Sequence, residues 1–180
     1  LVNFFSPTST FTKMKVSLLA GAPATTDKPT LQPDGSIALT DSMRAALKDL
    51  VTVGSAEGGP LTLAIEPEVL DGLARSSSPA DVALLTQVKA VLQRHESVQL
   101  PYVPFDPSSA QRSSLDATFL ELLETGRQVL DVNNGDAPLN AQAWIARQPL
   151  DVDGAELLHT NGVRTVVLTP NASQASGSLD

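Results

Sequence analysis

The sequence predicts an α/β domain built around a parallel sheet. Short β-branched or apolar runs alternate with amphipathic helical stretches, as in LTLAIEPEVLDGLA from Leu61 to Ala74, SVQLPYVPFDPSSA from Ser97 to Ala110 and GVRTVVLTPN from Gly162 to Asn171. That alternation is the signature of βα units. Pro and a carboxylate recur at the run ends, where parallel sheets place ligand chemistry. The chain has 180 residues, 42% of them hydrophobic and 4% aromatic, which suits one domain with an aliphatic core.

The elements follow in order. Residues 1–13 (LVNFFSPTSTFTK) mix apolar and hydroxyl residues and read as an N-terminal arm, with Phe4, Phe5 and Phe11 packed or covered by a partner. The chain opens on Leu rather than Met, so a processed product or a piece of a longer chain is expected. A first strand is expected over Lys15–Ala20. A long polar loop follows, with Asp34-Gly35 as its turn signal. Thr40 is a good N-cap for a helix whose apolar stripe is Met43, Ala46, Leu47, Leu50 and Val51.

A Gly58-Gly59-Pro60 break introduces the second strand, Leu61–Ile65, and Pro67 suits the first position of a short helix. Val82, Leu85, Val88, Val91 and Leu92 recur at helical spacing across Ala80–Arg94. The third strand is placed at Val98–Val103, with Pro101 demoting it to an edge, bulge or irregular end. Ser108 or Ser109 caps a long helix to about Asp131, its buried face marked by Leu115, Phe119, Leu122, Leu123, Val129 and Leu130. Gly126 weakens or interrupts it. A polar turn leads to a fourth strand near Gln142–Ala146. Asp153 and Glu156 resemble a capping box, and Gly162 a helix stop. The apolar run Val163–Leu168 suits a strand buried on both faces. From Asn171 the chain reads as a flexible linker tail, and Asn171-Ala172-Ser173 matches a glycosylation sequon.

Composition excludes several classes. The net charge is −8, and 12 Lys and Arg are spread along the chain, which argues against nucleic acid as a partner. There is no cysteine, so disulfides, thiolate metal sites and cysteine nucleophiles are excluded. No apolar run approaches the ~20 residues that span a bilayer, so this segment is not expected to insert directly into a membrane. LVNFF lacks the basic region and long apolar stretch of a signal peptide. Dinucleotide, P-loop and nucleophile-elbow motifs are absent, and no cofactor is expected.

Five residues carry the candidate chemistry. Glu66 follows the second strand and Asp106 the third. In a parallel sheet both share a rim, where paired carboxylates serve acid–base chemistry or hold a cation; alternatively each sits at the start of the next helix. Tyr102 and Trp144 lie near strand ends and suit stacking on a sugar, and Arg147 suits a carboxylate or phosphate; the other reading makes both rings ordinary core or rim aromatics. His95 and His159 fall at helix ends, where a cation is favoured. With no third histidine and no cysteine, a zinc site is not expected.

DKPTLQPDGSIALTDSMRAAL, LTLAIEPEVLDGLA, LPYVPFDPSSAQRSSL and AWIARQPLDVDGAELLHTNGVRTVVLTP, in this order, resemble the first extracytoplasmic domain of the large actinobacterial envelope proteins called DUF6049. The likeness covers about residues 15–170 through short, degenerate motifs. It implies a secreted, membrane-anchored parent, often encoded near a lipid II flippase of the MurJ/MviN type. That domain is similar to the barrels of polysaccharide deacetylases and family 57 glycosidases. The resemblance therefore implies a partial or deformed (β/α) barrel with about five parallel strands and flanking helices over residues 14–170. Glu66 stands at the family's aspartate after the second strand, and Tyr102 and Asp106 stand in its PY-x-x-x-D segment. Pro149 and Asp151 fall in its WP-x-x-G stretch, where QPLDVDG lacks the Trp directly before Pro. The deacetylase metal signature, an aspartate pair with His-x-x-x-His, is absent. The expected function is a non-catalytic envelope domain that binds cell-wall glycan or an envelope protein through Glu66, Tyr102, Asp106, Trp144 and Arg147. The rivals are a metal-free glycoside hydrolase using Glu66 and Asp106, and a structural interaction module.

Overall fold

A computed structural model describes residues 18–22, 27–56 and 61–168. The N-terminal arm, the Gly58-Gly59-Pro60 break, and the tail with its sequon lie outside the described residues.

β1 (Leu18–Ala22) matches the end of the first expected strand, whose residues 15–17 are not among those described. The long loop holds a small antiparallel hairpin, β2 (Thr30–Leu31) and β3 (Ile37–Ala38), turning at Asp34-Gly35, where Gly35 takes φ 81°. α1 (Asp41–Ser55) starts at Thr40, whose hydroxyl accepts from Met43 N. Met43, Leu47 and Leu50 are buried along it. β4 (Leu61–Ile65) runs directly into α2 (Pro67–Arg75), and α3 (Pro79–Leu92) follows. The buried face of α3 includes Leu84, Val88 and Val91, whereas Val82 is exposed.

β5 (Glu96–Val98) begins and ends earlier than the sequence suggests. Pro101 and Pro104 carry no N–H for a ladder, and the chain between them turns to the helix layer, where Tyr102 N donates to the Leu122 carbonyl at 2.8 Å. The single long helix expected after it is two helices, α4 (Pro107–Arg112) and α5 (Asp116–Asn134). The chain breaks at Ser113–Leu115, with Ser114 at φ 55°. The cap of α4 is Asp106, not Ser108 or Ser109: its carboxylate accepts from Ser109 N at 2.8 Å. β6 (Leu139–Asn140) is a strand the sequence pattern did not announce. β7 (Ala143–Ala146) is the expected fourth strand. α6 (Val152–Thr160) is capped by Asp151, which accepts from Gly154 N, rather than by an Asp153–Glu156 box. β8 (Thr165–Leu168) completes the described chain.

The strands β1, β4, β5 and β6 form a four-stranded sheet in that order, every pairing parallel. β7 and β8 form a separate parallel pair. The expected burial of β8 on both faces is not met: all four of its residues are exposed, because β7 is its sole strand partner among the described residues. The main core lies between the four-stranded sheet and α1, α2, α3 and α5, around Met43, Leu47, Leu63, Ile65, Leu70 and Leu92. A second core joins α4, α5, β7 and α6 around Phe119, Trp144 and Leu158. A third, small cluster brings Ala64 of β4 and Val98 of β5 together with Leu100, Ala143 and Ile145, so β4, β5 and β7 present side chains to one another.

Candidate functional site

Parallel strands deliver the residues that follow them to one end of the sheet. Glu66 leaves β4 at the N-cap position of α2, but its side chain caps nothing there. It reaches Arg147, the residue that follows β7, and accepts a hydrogen bond from its guanidinium. Glu66 is the better shielded partner, with 12% of its side chain exposed against 42% for Arg147. This ion pair ties the ends of the two sheets together.

Beside the pair opens a cleft of about 240 Å³. One side is the loop after β5, contributing Pro101, Pro104, Phe105, Asp106 and Pro107. The other is β7 and its exit, contributing Trp144, Ile145, Arg147 and Gln148. Four of the five sequence-predicted site residues therefore meet around one space: Glu66, Asp106, Trp144 and Arg147. Their roles differ. Asp106 is engaged by the Ser109 N–H in capping α4, the helix-start reading of that residue. Trp144 is the floor rather than a stacking platform: it is 5% exposed and leans on Phe119, ring centroids 5.6 Å apart at 57°. Phe119 in turn meets Phe105 at 6.2 Å, so three tilted rings underlie the cleft.

Tyr102 does not line the cleft. Its hydroxyl donates to Asp71 on α2 at 2.8 Å, and its carbonyl accepts from Glu68 N at 3.0 Å. The residue fastens the loop after β5 to α2. Burial, and then the hydrogen bond and charge of Asp71, push its phenol up to about 12. The neighbouring Glu68 carboxyl is raised by burial first and by Glu66 second, with Lys28 opposing.

Pattern reading missed the contribution of the prolines and Phe105. The signal was present as prolines at 101, 104 and 107, which stiffen one wall of the cleft. The histidines lie elsewhere: His95 Nε2 is 2.8 Å from the Gly54 carbonyl, and His159 meets Arg164. Among the described residues no group of three or more His, Asp or Glu is placed to hold a metal ion, and no helix is long and apolar enough to cross a membrane.

Compared with protein-family models, with curated proteins and with solved structures, the chain matches none.

Proposed function

We propose that this is a non-catalytic extracytoplasmic domain whose cleft binds a cell-envelope glycan. The observation that carries the reading is the cleft itself, an apolar floor of Trp144 and Phe105 ringed by the planar polar groups of Glu66, Asp106, Arg147 and Gln148. Sugar rings offer C–H faces to apolar surfaces and hydroxyls to such groups. Both carboxylates already serve the fold, Glu66 in its ion pair and Asp106 in its helix cap, which favours holding a ligand over transforming one. The finer fold in this proposal is a partial (β/α) barrel. It is supported by the side chains that β4, β5 and β7 share and by the ion pair between sheet ends.

Trp144 is the chain's one tryptophan, so its emission reports on the cleft. Titration with solubilised cell-envelope polysaccharide is expected to shift that emission. Glu66→Ala and Arg147→Ala are each expected to weaken binding at least tenfold, about 1.4 kcal/mol. Wild-type affinity in both variants would refute the site.

A second reading, a metal-free glycoside hydrolase, is favoured by the fact that Glu66 and Asp106 line the same cleft. It requires release of reducing sugar by the wild-type chain and its loss in Glu66→Gln.

A further inference from the structure

We infer that the ligand of this cleft is a linear oligosaccharide lying across two adjoining subsites, not a single sugar; this rests on the glycan reading above. A second hollow of about 500 Å³ lies against Ser109, Arg112, Pro149 and Asp151, and it shares Asp106 and Gln148 with the first. Shared walls make the two hollows neighbours, set along the segments that enter α4 and α6. Small-molecule sites enclose ~300–1,000 Å³. The first cleft falls below that range at about 240 Å³ and the second falls inside it at about 500 Å³, so a ligand seated in the first has room to extend into its neighbour.

The walls are also fixed to one another in advance. Asp151 N donates to Ser108 Oγ at 3.0 Å, and Arg112 reaches the Asp151 carboxylate. Gly154 lets α6 press on α4, where a Cβ would lie 2.7 Å from Ser108 N. A preformed site spares a ligand the cost of ordering its walls. Its two ends differ in chemistry. The end walled by Pro101, Pro104 and Phe105 is apolar and suits the face of a ring, while the Arg112 end is the more polar and suits hydroxyl or acetamido groups on a following unit.

The test uses β-1,4-linked N-acetylglucosamine oligomers of one to six units, titrated into the whole 180-residue chain by calorimetry and Trp144 emission. Affinity is expected to rise at least tenfold from one unit to two and to level off by four. Arg112→Ala is expected to weaken the four-unit oligomer at least fivefold and to flatten the dependence on length. Arg112→Gln gives the same readout if the alanine variant is unstable. Equal affinity for one and four units overturns the inference and leaves the glycan reading standing. No binding of any oligomer also overturns the inference, and the polysaccharide titration above then decides the glycan reading by itself.

Discussion

Arg44 lays its guanidinium flat against Asp81, with Nε donating to Oδ1 at 2.7 Å and Nη2 to Oδ2 at 3.0 Å. Ser76 Oγ donates to the same carboxylate at 2.7 Å, and Arg44 Nη1 donates to the Leu39 carbonyl at 2.7 Å. The carboxylate is nearly sealed, with 3% of its side chain exposed, whereas Arg44 keeps 30%. Removing one partner from such a pair strands the other, and the sealed partner suffers more. Arg44→Ala, which leaves Asp81 buried with one hydroxyl donor, is therefore expected to cost about 3 kcal/mol. Asp81→Ala is expected to cost less, because the freed guanidinium still reaches water. Urea denaturation of the two variants checks the order, and equal losses would contradict it. The same rule bears on Glu66 and Arg147, where again the carboxylate is the shielded member.

Helix α5 shows the same contest between local preference and packing at the next scale. Gly126 weakens a helix in isolation by roughly 1 kcal/mol relative to alanine, yet α5 passes through it without a break. The reason is close approach: a Cβ at 126 would overlap the Leu100 carbonyl oxygen and lie 2.9 Å from Tyr102 N. Gly126→Ala is thus expected to destabilise the protein by about 1–3 kcal/mol, against its propensity. It should also loosen the bond from Tyr102 N to Leu122. Thermal unfolding checks the sign, and a raised melting temperature would show that the loop after β5 moves away easily. Much of this was legible from sequence because periodicity and caps are local. The stripe of α1, the Thr40 cap, the Pro67 start of α2 and the parallel direction of the expected strands all follow from short-range pattern. The break at Ser113–Leu115 was not legible, because Ser108 and Ser109 look like caps until Asp106 is seen to hold the Ser109 N–H. Nor was the exposure of β8, since an apolar run names a strand but not its neighbours. At the site, Glu66 was readable from its strand end, but Asp106 reaches the cleft through the loop that follows the early end of β5, and the turn of Tyr102 toward Asp71 depends on where α2 packs.

Across the whole molecule, 20 acidic residues and 12 Lys and Arg give the net charge of −8, and several of the acids are more acidic in the fold than free. Asp81 is lowered first by the Arg44 hydrogen bonds, and Asp151 first by the Gly154 N–H. A carboxylate with a depressed native pKa contributes stability above its unfolded value of about 3.9, and that contribution is lost as pH falls through the native value. Their settings differ: Asp81 is sealed where it joins α1 to α3 in the main core, whereas Asp151, which joins α4 to α6 beside the second, keeps 38% of its side chain exposed. Solvent screens the exposed carboxylate, so acid is expected to act chiefly through Asp81 and the main core. Glu124, drawn down to about 2 by Arg127 and then Gln128, lies on the surface of α5 and holds no core in place. Stability to urea is expected to stay level between about pH 7 and 5 and to fall below about pH 4. Asp81→Asn tests this sharply. It removes one proton-uptake site, so its deficit against the wild-type chain should be greatest near neutrality and shrink steadily below about pH 4. A deficit that is constant with pH would mean that Asp81 stabilises through packing and neutral hydrogen bonds, and that its charge on Arg44 adds nothing.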